Sequence, residues 1–207
     1  MVVHYWFYGY DSLMEFIAAG IAMAIAYEAM KGYALVKQRI LLYLNLSFIL
    51  LGAGLLVAGF SDGVIIFAKF HRAFLFLYTI GYTINFFAQL IAYGILVIVY
   101  VQQTRSFGTQ SIAMAALPIM LVQRNSITEM ILVFLLVYIS AQTAINYSVS
   151  KGTNTLLVFS AFLCLMFAHV LFLLYTLVPI LFPFAQIAQL FGFLLLLAML
   201  FRVNQAI

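Results

Sequence analysis

The sequence predicts an all-α integral membrane protein folded as a seven-helix transmembrane bundle. Three observations carry this: an apolar composition, a succession of long apolar segments, and a likeness between the two halves of the chain. Of 207 residues, 68% are hydrophobic and 7% charged. A soluble domain carries about 25% charged residues, which it needs to cover its surface. A single cysteine, Cys164, excludes a disulfide scaffold, and the hydrophobicity excludes disorder.

A spanning helix needs about 20 mostly apolar residues. Six such segments lie near 12–31, 40–60, 73–101, 127–149, 155–176 and 182–202. Before the first, the stretch MVVHYWFYGY has no basic start, so it reads as an aromatic belt rather than a signal peptide. The third segment is long enough to tilt or project from the hydrocarbon. A seventh apolar stretch, Ile112–Val122, contains Pro118 and would reach only about 17 Å as a helix. It spans if residues 106–123 join it; otherwise the chain has six spans and a re-entrant piece.

Charge favours seven. The net charge is +4, and the nine basic residues are scattered singly at span ends. That distribution suits membrane orientation and lipid head groups, not nucleic acid. With seven spans, one side holds Lys31, Lys37, Arg39, Arg105, Lys151 and Arg202, and the other Lys69, Arg72 and Arg124. With six spans the split is five against four. The positive-inside rule then predicts a multi-pass cell-membrane protein with its N-terminus outside and its C-terminus in the cytoplasm.

The halves match in three places. Ala88–Tyr93 resembles Ala188–Phe193 at an offset of 100, Leu41–Leu44 resembles Leu156–Phe159 at 115, and Tyr27 with Lys31-Gly32 resembles Tyr147 with Lys151-Gly152 at 120. The reading is a 3+1+3 plan: a three-helix unit over 1–103, a linker helix over 104–125 and a second unit over 126–207. Ser12-x-x-Glu15 and Ser126-x-x-Glu129 both read as capping boxes at helix starts. Glu28, three residues before Lys31, reads as a surface ion pair.

Polar residues within the spans carry the functional information, because unpaired polar groups in lipid are costly. Tyr78, Tyr82, Asn85 and Gln89 share one helix face, as do Tyr138, Gln142 and Asn146, and Gln186 and Gln189. Asn45, Ser47, Ser160, Cys164 and His169 add to them. One reading is interhelical hydrogen bonding, at about 0.6 kcal/mol each. The other is a seam lining a ligand site formed by Tyr82, Asn85, Gln89, Gln142, Asn146, His169 and Gln189. His169 alone makes neither a haem nor a metal site, and Cys164 lies on another face of its helix. The sequence therefore implies no cofactor.

No P-loop, HExxH, Cys–His cluster, GxSxG elbow, Arg ladder or mid-span lysine is present. An enzyme is not expected. LLVFSAFLCLMFAHVLFLLY followed by FAQIAQLFGFLLLLAMLFRV resembles segments of small uncharacterised seven-span archaeal proteins and of the membrane part of some prokaryotic sensor kinases. Such relatives often carry a histidine where this chain has Gln186. The expected function is binding or transport of a small uncharged or lipophilic molecule between the units. The alternative is a sensory or scaffold subunit that docks on a partner membrane protein or on a second copy. Ala113, Ala115 and Ala116 would permit that close approach.

Overall fold

A computed structural model describes residues 5–67, 71–105, 126–175 and 177–205; side chains at 5–8, 65–67, 71–75, 103–105 and 126 are outside that description. Ile112–Val122, Pro118, Ala113, Ala115, Ala116, Lys69 and Arg124 are also outside it. The described chain is all helical: α1 (Tyr5–Val36), α2 (Arg39–Phe67), α3 (His71–Arg105), α4 (Ser126–Ser150), α5 (Thr153–Leu174) and α6 (Leu181–Gln205). Each contains a stretch long and apolar enough to cross a membrane. Helices are the form such sequences take, because the hydrocarbon offers no partner for an exposed peptide group. The protein is a polytopic membrane protein.

The helices form a closed ring in which each packs on its sequence neighbours and α6 packs on α1. Pair contacts fix their directions. Ser12 against Gly59 and Asn45 against Ala26 make α1 and α2 antiparallel. The approaches of Gly54 to Ala88 and of Gly81 to Ser61 do the same for α2 and α3. Glu129 with His169 and Tyr147 with Phe159 orient α4 against α5, and Phe172 with Phe182 and Leu165 with Gly192 orient α5 against α6. Asp11 with Gln186 and Glu28 with Asn204 make α6 parallel to α1. So α1, α3, α4 and α6 run one way, and α2 and α5 the other. Tyr82 accordingly meets Thr128 near the starts of both α3 and α4.

Burial follows one register through both halves. Glu15, Ala18, Ala22, Ile25 and Ala29 are buried, and so are Glu129, Leu132, Leu136, Ile139 and Thr143, each 114 residues on. Phe48, Leu51, Leu55 and Ala58 correspond in the same way to Phe162, Leu165, His169 and Phe172. In α3 and α6 the offset is 100: Gln89, Tyr93 and Leu96 against Gln189, Phe193 and Leu196. The α1–α2 and α4–α5 turns agree too. Lys37 (φ 58°) and Lys151 (φ 47°) are left-handed, and each donates its N–H to a tyrosine carbonyl four residues back, Tyr33 and Tyr147, at 2.8 Å. The partner of Lys151 in this register is thus Lys37, not Lys31, and the sequence matches at 115 and 120 are out of register.

The interior beyond the starts of α1, α3, α4 and α6 is mostly apolar, with Glu28, Ser47, Ser140 and Thr143 buried in it. Ile25, Phe48, Leu51, Tyr93, Ile139, Phe162, Leu165 and Phe193 fill it, and the Phe48 and Phe193 rings meet edge to face across the ring of helices. Outside, Phe60, Phe134, Phe167 and Phe191 are exposed, as lipid-facing side chains should be. Lys31, Lys37, Arg39, Lys151 and Arg202 are exposed at one end of the bundle, together with the end of α3.

Candidate functional site

At the opposite end, between the two groups of three helices, lies a polar cavity of about 30 Å³, room for about two water molecules. Five of the seven residues predicted from sequence line it: Tyr82, Asn85, Gln89, His169 and Gln189. Gln142 and Asn146 do not. They stand about 20 Å farther along α4 than Glu129, since 13 residues at 1.5 Å separate Glu129 from Gln142. Asn146 is exposed, and its carbonyl accepts a hydrogen bond from Ser150. Spacing found their shared face correctly, but α4 turns Leu132, Leu136 and Ile139 inward instead.

The cavity also contains what the sequence reading assigned elsewhere. Glu15, Asp62 and Glu129 line it with Gln186. All five acidic residues of the chain are buried, Asp11, Glu15, Glu28, Asp62 and Glu129. The readings of Glu15 as a helix cap and of Glu28 as a surface ion pair are therefore corrected. Glu15 does not cap α1, because that helix begins ten residues earlier, at Tyr5. Ser12 likewise lies inside the helix and donates to the Gly59 carbonyl of α2 at 2.8 Å. Glu28 is not in a surface pair: its carboxylate accepts from Asn204 Nδ2 of α6 at 2.7 Å.

Glu129 does lie in the first turn of α4, where a negative charge suits the helix dipole. Its carboxylate nevertheless points across to α5. Oε2 is 2.9 Å from His169 Nδ1, and Oε1 accepts from the Tyr82 hydroxyl at 3.3 Å. Tyr82 also meets Thr128 Oγ1 at 2.8 Å. With Nδ1–H donating to Glu129, His169 Nε2 is left to accept from the Tyr93 hydroxyl, 3.4 Å away. This carboxylate–imidazole–phenol chain joins α3, α4 and α5, and can hold or pass a proton.

On the α1–α2 side stand Asp11, Glu15 and Asp62, with one carboxylate oxygen of each within 4.8 Å of the others. Asp11 Oδ1 accepts from Gln186 Nε2 at 2.6 Å. Gln89 donates to Asn85 Oδ1 at 3.2 Å, while its own carbonyl oxygen is buried and meets no donor among the described residues. Asp11 and Glu15 are four apart and so share a helix face, a signal available in the sequence. Asp62 lay beyond the span drawn at 40–60, whereas α2 continues to Phe67.

Comparison with protein-family models, with curated proteins and with solved structures finds no match.

Proposed function

We propose that the protein is a non-enzymatic transport module that binds a small polar solute between two repeated three-helix units. The observation that carries this is the cavity itself: side chains from both groups of helices converge on it, between the main apolar core and a smaller apolar cluster around Phe172 and Phe182. Its carboxylates, amides and histidine favour a polar or cationic solute over the lipophilic one expected from composition. The common burial register of the halves supports the repeat. Parallel repeats that rock about a shared site are one established route to alternating access.

The same reading has seven spans. The end of α3 and the start of α4 lie at opposite ends of the bundle, as a further crossing between them requires. Residues 106–125, as a helix, would reach about 30 Å, the thickness of the hydrocarbon. The exposed basic residues at the far end favour a cytoplasmic C-terminus, a cavity facing outward and a place in the cell membrane.

The test is a thermal-melting screen of the purified protein against small cationic and uncharged polar solutes, followed by uptake into proteoliposomes. A stabilising solute whose uptake is lost in Gln189→Ala and Asn85→Ala supports the reading. It is refuted if no solute is both stabilising and transported, or if uptake is unchanged in both variants.

A further inference from the structure

We propose that His169 is a proton-binding site whose occupancy sets the contact between the two groups of helices. Its imidazole is 2% exposed and bridges them. Nδ1 is 2.9 Å from Glu129 Oε2 of α4, within its own group. Nε2 is 3.4 Å from the hydroxyl of Tyr93, on α3 of the first group. The helices α3 and α5 are not neighbours in the ring, so this pair of side chains reaches across the interior. The Tyr93 and His169 rings meet edge to face with centroids 5.9 Å apart.

The two nitrogens respond differently to a second proton. With Nδ1–H donating to Glu129, the carboxylate can accept from a neutral or a charged ring alike. Nε2 is the atom that gains the proton, and it then turns from acceptor to donor. The Tyr93 oxygen can accept from it, but the Tyr93 hydrogen must then point elsewhere. Among the described residues, His169 is the one hydrogen-bond partner of that hydroxyl, and Tyr93 is 0% exposed. A buried hydroxyl hydrogen without an acceptor is costly. Tyr93 therefore suits the ring whose Nε2 is bare, and the added proton loosens the tie between α3 and α5.

Packing alone does not call for this pair. The positions that correspond to His169 and Tyr93 in the burial register are Leu55 of α2 and Phe193 of α6, both in the apolar core. The same place in the frame is thus filled on the other side without a polar atom. The other titratable groups that line the cavity with His169 are Glu15 of α1, Asp62 of α2, Tyr78 and Tyr82 of α3, and Glu129 of α4, while α6 supplies the amides of Gln186 and Gln189. Of the described residues, only Glu129 and Tyr93 hydrogen-bond to the imidazole. The inference goes beyond the transport reading and does not rest on it, because the proton is read without a solute.

The experiment uses the purified full chain in detergent. His4→Gln and His71→Gln leave His169 as the one histidine of the three, and nitrogen-15 NMR then reads each ring nitrogen directly. Between about pH 8 and pH 5, the range in which imidazole ordinarily changes charge, Nε2 should pass from bare to protonated while Nδ1 keeps its hydrogen. Spin labels on the lipid-facing variants Ile91→Cys of α3 and Phe167→Cys of α5, in a Cys164→Ala background, read the separation of the two helices. That separation should shift by about 1–2 Å over the same pH range. In Tyr93→Phe, which lacks the hydroxyl, it should hold its acid value throughout while Nε2 still titrates. In His169→Phe it should not respond to pH. The proposal is overturned if Nε2 keeps one state across the range, if the separation does not change with it, or if the pH response persists in Tyr93→Phe or His169→Phe. Should His169→Phe fail to fold, the NMR reading and Tyr93→Phe decide without it. Failure of solute uptake leaves all of these readings in force, so the two proposals fail separately.

Discussion

Removing Glu129 should destabilise the bundle through one atom above all, the Nδ1–H of His169. That group is 2.9 Å from Glu129 Oε2, and His169 is 2% exposed. Glu129→Leu deletes the acceptor and leaves the donor buried. Such an orphan costs about 1–3 kcal/mol, or about 3–5 kcal/mol if the imidazole is charged and its partner lost. Tyr82 adds little to the cost because it keeps Thr128 at 2.8 Å. Glu129→Gln retains a carbonyl acceptor and should lose less than about 1.5 kcal/mol. His169→Phe removes the donor instead, and the double variant removes both members of the pair, leaving only the Tyr93 hydroxyl short of its contact, as in the His169 single variant. The double should therefore be more stable than the sum of the singles by about 1–3 kcal/mol. Unfolding of the detergent-solubilised protein, monitored by circular dichroism, measures all four, at about 2–4 °C of melting temperature per kcal/mol for a chain of this size. Singles that add to within about 0.5 kcal/mol would mean that the two side chains do not meet.

Three further outcomes follow from the packing. In a Cys164→Ala background, cysteines at Gln102 and Lys151 should react with an impermeant thiol reagent from the same side of the membrane, and one at Val178 from the other; reaction of the first two from opposite sides would refute the parallel run of α3 and α4. Gly192→Val should cost about 1–3 kcal/mol, because a Cβ there stands 2.9 Å from Leu165 Cγ and 3.0 Å from the Ala161 carbonyl. Gly20→Ala, with nothing within 4 Å of its Cβ, should instead gain up to about 1 kcal/mol, and equal melting shifts for the two would refute that contrast. Tyr93→Phe should cost about 0.5–1.5 kcal/mol, because it removes the buried hydroxyl 3.4 Å from His169 Nε2; an unchanged melting temperature would refute that contact.

The helices were legible because lipid admits few alternatives, and every described one overlaps a span drawn from apolar length alone. The inward faces of α3 and α6 were legible as well, since Asn85 with Gln89 and Gln186 with Gln189 repeat at helical steps and all four are buried. The α4 face misled. Tyr138, Gln142 and Asn146 are as regular as the α3 series, but regular spacing gives a face and not its direction. Direction came from the apolar residues Leu132, Leu136 and Ile139 and from Glu129, which pack inward together. The turn register was hidden for a related reason. Lys31-Gly32 and Lys151-Gly152 look alike as letters, while the left-handed backbone that ends each helix falls on Lys37 and Lys151.

The carboxylates show where such reading runs out. An acidic residue a few positions into an apolar segment is consistent with a cap, a lipid-facing pair or an interior ligand. The choice depends on where the helix begins and on what stands opposite. For Glu129 both readings hold at once: it lies in the first turn of α4, yet its oxygens are taken by His169 and Tyr82 from α5 and α3. For Glu15 only the interior reading survives, because α1 has already made two turns by Ser12. The two glutamates thus share one position in a common burial register, while the position held by His169 in one half is held by Leu55 in the other. A common burial pattern does not fix the polar contents: the Glu129 carboxylate is taken up by His169 and Tyr82. Asp11 draws instead on α6, where Gln186 donates to it at 2.6 Å, so a burial register shared by the halves could not have told their carboxylates apart.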